Sequence, residues 1–114
     1  MRRVWLIDAD HWPRALLRAE LLERGYDVIG FERVDDAILR LAVERQRRPE
    51  LVIIDVEGLE VSRSALRLLG AGGARLLGIV GVGCGETGRL EWTELLRRPV
   101  TLGQVADVVE RILP

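Results

Sequence analysis

Five short apolar runs alternate with amphipathic stretches along the 114 residues, and that alternation restricts what the chain can fold into more than any other feature. The runs fall at 4–7, 26–31, 51–54, 76–82 and 95–97. The first and third, Val4-Trp5-Leu6-Ile7 and Leu51-Val52-Ile53-Ile54, are apolar at every position. A strand without a polar face must be covered on both sides, which is the situation of a strand in a parallel sheet flanked by helices. The intervening segments have helical spacing. Pro13 suits a first helical turn, Ala15, Leu16, Leu17, Ala19, Leu21 and Leu22 form an apolar face, and Gly25 supplies a stop. A second helix is predicted over 35–47, with Ala37, Ile38, Leu41 and Ala42 inward and Pro49 closing it, and a third over 62–69 before the turn Gly70-Ala71-Gly72-Gly73. The last helix starts at Thr101, whose spacing to Gln104 is that of a capping box, and carries Val105, Val108, Val109 and Ile112. Residues 83–93 hold three glycines and little apolar periodicity, so a fourth helix is expected to be short, frayed or absent. Strict alternation of strand and helix implies an α/β fold, a doubly wound five-stranded parallel sheet with right-handed crossovers.

Composition excludes several classes of function. A chain of 114 residues makes one domain, large enough to bury roughly two-thirds of its unfolded surface without a disulfide or a structural metal. The 17 basic residues are all arginine, and asparagine is absent as well, a bias that points to GC-rich bacterial coding. With a formal net charge of −1 and both signs interspersed, the surface offers no basic field for nucleic acid. Cys84 is the single cysteine, which excludes an internal disulfide and fits a reducing cytoplasm. Only four apolar residues separate Met1-Arg2-Arg3 from Asp8, too few for a signal peptide or a membrane span. The expected location is the cytoplasm.

The strand ends carry the chemistry. Asp8 and Asp10 follow the first run, Asp55 follows the third, and Arg98 precedes Pro99 after the fifth. The carboxyl ends of neighbouring parallel strands lie side by side, so these side chains can converge on one crevice. This arrangement resembles the receiver domain of two-component response regulators, over nearly the whole chain. The resemblance implies a flavodoxin-like, CheY-like (βα)5 order and a single receiver-like domain over residues 1–114. By motif, Asp55 matches the phosphoacceptor, Asp8, Asp10 and Asp55 match the acidic pocket that holds Mg2+, and Arg98 stands at the position of the switch lysine. The metal is needed in the family because an aspartate attacking a phosphoryl group meets anion–anion repulsion, which a cation must offset.

This sequence departs from the family pattern at several of those positions. Ala9 replaces the second acid of the pair, which weakens a magnesium site built from few charged ligands. Asp10, one place further on, reads either as a substitute ligand or as an acid stabilised by a helix N-terminus. No Ser or Thr stands at 80–82, where the family has a hydroxyl, and Thr87 is the nearest. Arg98 keeps the positive charge but replaces a compact ammonium with a planar fork, suited to an ion pair with Asp55 or Asp8. Leu95 falls near the position of the mobile aromatic residue of many receivers, without a polar tip.

These departures imply a pseudo-receiver: a non-enzymatic signalling domain in a phosphorelay that acts by protein–protein interaction, with weak or no phosphorylation of Asp55. The implied partners are a histidine kinase or an output protein, met through the surface around the fourth-helix remnant, the fifth strand and the last helix. A homodimer through that face is consistent with the family, and neither nucleic acid nor a membrane is expected. An alternative is a phosphorylatable receiver that uses Asp55 with Mg2+. A second alternative is a small nucleotide-binding α/β protein using Gly83-Cys84-Gly85-Glu86-Thr87-Gly88, although no full helix and acid-tipped strand follow that motif. His11 reads as a surface histidine at a helix entrance, Cys84 as an unpartnered loop cysteine, and Trp92 as either a plug for the space left by a reduced helix or an exposed anchor.

Overall fold

The computed structural model describes residues 1–81 and 91–114. Five strands and four helices occur among them: β1 (Arg3–Ile7), α1 (His11–Glu23), β2 (Asp27–Phe31), α2 (Val34–Val43), β3 (Leu51–Asp55), α3 (Arg63–Gly70), β4 (Arg75–Val80), β5 (Glu94–Arg97) and α4 (Leu102–Ile112). The strands form one parallel sheet in the order β2-β1-β3-β4-β5. The chain order reverses between β1 and β3, which makes the crevice beyond their carboxyl ends the switch point where α/β folds place their chemistry.

Alternation along each strand divides the interior into two cores. Val4 and Leu6 of β1 and Leu51 and Ile53 of β3 point to one face, where they pack with Leu17 and Leu21 of α1 and Val105 and Val109 of α4. Trp5, Ile7, Val52 and Ile54 point to the other face, against Ala37 and Leu41 of α2 and Leu66 and Leu69 of α3. The continuous apolar runs of β1 and β3 are therefore two interleaved half-cores, as expected of strands covered on both sides.

The helix starts follow local chemistry. Ser62 Oγ accepts from the Ala65 N–H at 3.0 Å and starts α3. Thr101 and Gln104 form the reciprocal capping box that begins α4. Two element ends and one apolar face differ from the sequence expectation. The helix predicted over 35–47 ends at Val43: Glu44 is extended, and residues 44–48 offer no apolar face to hold another turn. The strand predicted over 76–82 ends at Val80. Along α1, Leu16 and Leu22 are exposed although they share its apolar run, because Leu17 and Leu21 take the core.

The predicted short fourth helix, the 83–88 loop, Cys84 and Thr87 lie outside the described residues. No described helix is long and apolar enough to cross a membrane.

On β4, Gly78 creates room between elements. A Cβ there would lie 2.6 Å from Leu95 Cδ2 and 3.0 Å from two ring carbons of Trp92. Trp92 is thus laid over β4, half-buried against the second core. Trp92 is therefore packed on the sheet and is not an exposed anchor; the segment whose space it was expected to fill lies outside the described residues.

Candidate functional site

Asp8 and Asp55 are the two buried charged residues among those described. Their adjacency follows from register: Ile7 pairs with Ile54, so the next residue of each strand projects beyond the sheet at its switch point. The ladder continues past both strands, with the Asp8 N–H donating to the Phe31 carbonyl and the Val56 N–H to the Ile79 carbonyl, each at 3.0 Å. This fixes the two carboxylates on rigid backbone.

Arg98 arrives from β5, on the far side of β4. Its own N–H donates to the Val80 carbonyl at 2.9 Å, which extends the β4–β5 pairing by one step. From there the guanidinium spans about 10 Å, two strand spacings, to reach Asp55. Nη1 donates to Asp55 Oδ1 at 3.0 Å and Nη2 donates to Oδ2, so the fork engages both carboxylate oxygens. Of the two partners that the sequence offered for Arg98, the hydrogen-bonded one is Asp55. The acid in turn raises the arginine's pKa, which keeps the cation charged under all ordinary conditions.

Asp8 has a different environment. Oδ1 accepts from the Asp10 N–H at 2.9 Å, which favours the anion, but burial and the nearby charges of Asp55 and Asp10 act the other way. Burial is the largest of these effects, and the pKa of Asp8 lies above its ordinary value of 3.8. Asp10 therefore joins the site through its backbone. Its carboxylate is exposed at the N-cap position of α1, with extended backbone angles of φ −91° and ψ 128° and no side-chain cap. His11 is also exposed, edge-on to the Trp12 ring at 5.1 Å between centroids.

Three further residues shape the pocket. Glu57 donates its N–H to Asp55 Oδ1 at 3.2 Å and places a carboxylate oxygen 3.5 Å from Arg98 Nη1. Gly58 adopts φ +75° in the tight turn closed by the Leu59 N–H on the Val56 carbonyl, a conformation that disfavours any side chain. Arg14 reaches over Gly30 to donate to the Asp8 carbonyl oxygen at 2.7 Å. The Glu57-Gly58 pair is a turn signal just past Asp55 and could have been read from sequence. Arg14 could not, because its reach to Asp8 depends on the α1–β2 packing.

In this arrangement the residues do not fit a magnesium ion. Both Asp55 oxygens are occupied by donors, Ala9 stands where a second acid would be, and the Asp10 carboxylate faces outward. Among the described residues, no group of three or more His, Cys, Asp or Glu side chains could hold a metal. The positive charge at Asp55 comes from the chain itself.

No family model matches the sequence, and no curated protein does. Solved structures share its fold. A response regulator signal receiver domain from Bermanella marisrubri superposes with a TM-score of 0.82 at 17% identity, over 98% of each chain. A chemotaxis response regulator of Vibrio cholerae does so at 0.77 and 18% identity, over 99% of each chain. NtrX from Brucella abortus, crystallised with ADP, matches at 0.78 and 22% identity over 99% of this chain and 27% of its own. The fold is that of signal receiver domains, and the expected CheY-like topology is borne out.

Proposed function

We propose that the chain is a receiver-type signalling module of the pseudo-receiver kind, a non-enzymatic domain that works by binding a protein partner, with little or no phosphorylation of Asp55. The supporting observation is the fork of Arg98 on Asp55. A phosphoacceptor must present a free oxygen lone pair to an incoming phosphorus, with a cation beside it to offset the growing charge. Here the cation sits on the nucleophile. The pair closes the pocket by ionic means, and Glu57 on the outer side holds the guanidinium in place.

The Asp55–Arg98 pair links β3 to the segment after β5. It therefore fixes the β5–α4 side of the molecule relative to the switch point, the same coupling that phosphorylation is inferred to control in receivers. A surface held in one state suits a constitutive binding role, with a histidine kinase or an output protein as the partner class. Binding to nucleic acid or membrane has no support in the charge distribution.

Amide NMR with magnesium and then beryllofluoride, a mimic of the phosphorylated aspartate, tests the reading. The expected result is a spectrum unchanged by either addition. Shifts centred on Asp8, Asp10 and Asp55 that spread to Arg98 and α4 would instead establish a phosphorylatable receiver that opens the pair to admit Mg2+.

A further inference from the structure

At the opposite end of the sheet a cavity of about 120 Å³ lies between the first residues of β1 and β2 and the last turn of α2. Its lining includes Arg3, Trp5, Asp27, Arg40, Glu44 and Arg47. The volume is about ten times the roughly 10–15 Å³ that a single water requires.

Among the described residues, one donor in this lining is buried without a partner, and its arginines are only loosely paired. Trp5 is 1% exposed, and its Nε1–H is a buried donor with no partner among the described residues. An unsatisfied buried N–H is costly, and native interiors contain few of them. Arg3 and Arg40 each face a carboxylate, but at 3.8 Å from Asp27 and from Glu44, beyond hydrogen-bond reach. Arg47 is exposed and makes no ion pair with the described residues. Three guanidinium groups against two carboxylates leave a lining charge of +1. The carbonyl end of α2 contributes about −0.5 of an elementary charge nearby, which does not cancel it.

One buried unpaired donor beside three guanidinium groups that hold no hydrogen-bonded carboxylate, one of them over the Phe31 ring, gives a net positive, partly enclosed site with the chemistry to take an oxyanion. We propose that this cavity binds a small oxyanion, a phosphate or carboxylate group, which accepts hydrogen bonds from the Trp5 indole and from the arginines around it. The arginines remain paired at long range with Asp27 and Glu44, so the anion completes a charge network already in place. Asp8 lies five residues along β1 from Arg3, about 16 Å away, so this site is separate from the acid pocket.

The three tryptophan indoles report on different places, which makes the test specific. Trp5 lines the cavity, Trp12 sits in the first turn of α1 beside the acid pocket, and Trp92 covers β4. Nitrogen-15 spectra of the indole N–H groups are recorded while inorganic phosphate, and in parallel acetate, replaces chloride at constant ionic strength. The expected result is a saturable shift of the Trp5 signal alone. Arg47→Ala, an exposed change that leaves the core intact, should weaken the response about tenfold or more, the effect of one charge-assisted hydrogen bond. Whichever anion acts at lower concentration identifies the head group. A Trp5 signal that stays fixed, moves only together with Trp12 and Trp92, or responds equally in Arg47→Ala overturns the proposal.

Discussion

At the scale of single residues, two buried acids a strand apart are handled in opposite ways. Asp55 is neutralised by a bidentate cation, whereas Asp8 has one backbone N–H and a weaker attraction to Arg98 against burial and the repulsion of Asp55 and Asp10. Arg98→Ala should therefore destabilise the fold. A fully buried pair broken on one side costs about 3–5 kcal/mol. With 34% of the Arg98 side chain exposed, water replaces part of the loss, and we expect about 1–3 kcal/mol in urea unfolding. For Asp8 the sign is reversed. Its folded pKa is raised, so the folded state holds the proton more tightly than the unfolded chain. That contribution is fully present below the ordinary value of 3.8 and is lost as pH rises through the folded value. Asp8→Asn keeps an acceptor for the Asp10 N–H and removes the charge. It should raise the thermal midpoint at neutral pH, with the gain vanishing in acid. An equal gain at all pH values would show that charge is not the cause.

Between elements, the contact that stands out is the layering of Leu95 and Trp92 over Gly78. A methyl group at position 78 would meet Leu95 Cδ2 at 2.6 Å, well inside van der Waals contact. Gly78→Ala should cost about 1–3 kcal/mol, the usual penalty for an overfilled core. Leu95→Val in the same chain should recover part of it, read as a favourable coupling energy in a double-mutant cycle. Two independent, additive losses would mean that the side chains do not meet. This packing was only half legible beforehand. The position of Trp92 suggested a plug, but the glycine beneath it could be identified only once the register Gly78 to Leu95 was known.

Over the whole molecule, the order of the strands sets the order of stability. Every residue of β3 is buried, and β1 lies beside it, whereas β5 is an edge strand with no fully buried residue. Amide exchange should be slowest over 4–7 and 51–55 and faster over 94–97, following local burial. The sequence made this architecture readable because uninterrupted apolar runs have few alternatives to a doubly covered strand. It also brought Asp8, Asp55 and Arg98 to one crevice by topology alone. It could not resolve which acid Arg98 would take, because that depends on the span across β4. The extent of α2 was overestimated for a related reason: charged residues 44–48 are helix-compatible, and only the missing apolar face stops the turn. The donor-rich cavity was invisible, since its residues come from three separate segments with no shared motif.

The fork on Asp55 also has a kinetic meaning. A reagent that reacts through a carboxylate oxygen meets weakened nucleophiles while both oxygens are held, so the faster route runs through parting of the pair. Raising the reagent concentration then speeds the reaction only until parting becomes the slow step. Beyond that point the rate becomes a clock for the opening of a single ion pair, independent of the reagent that reports it.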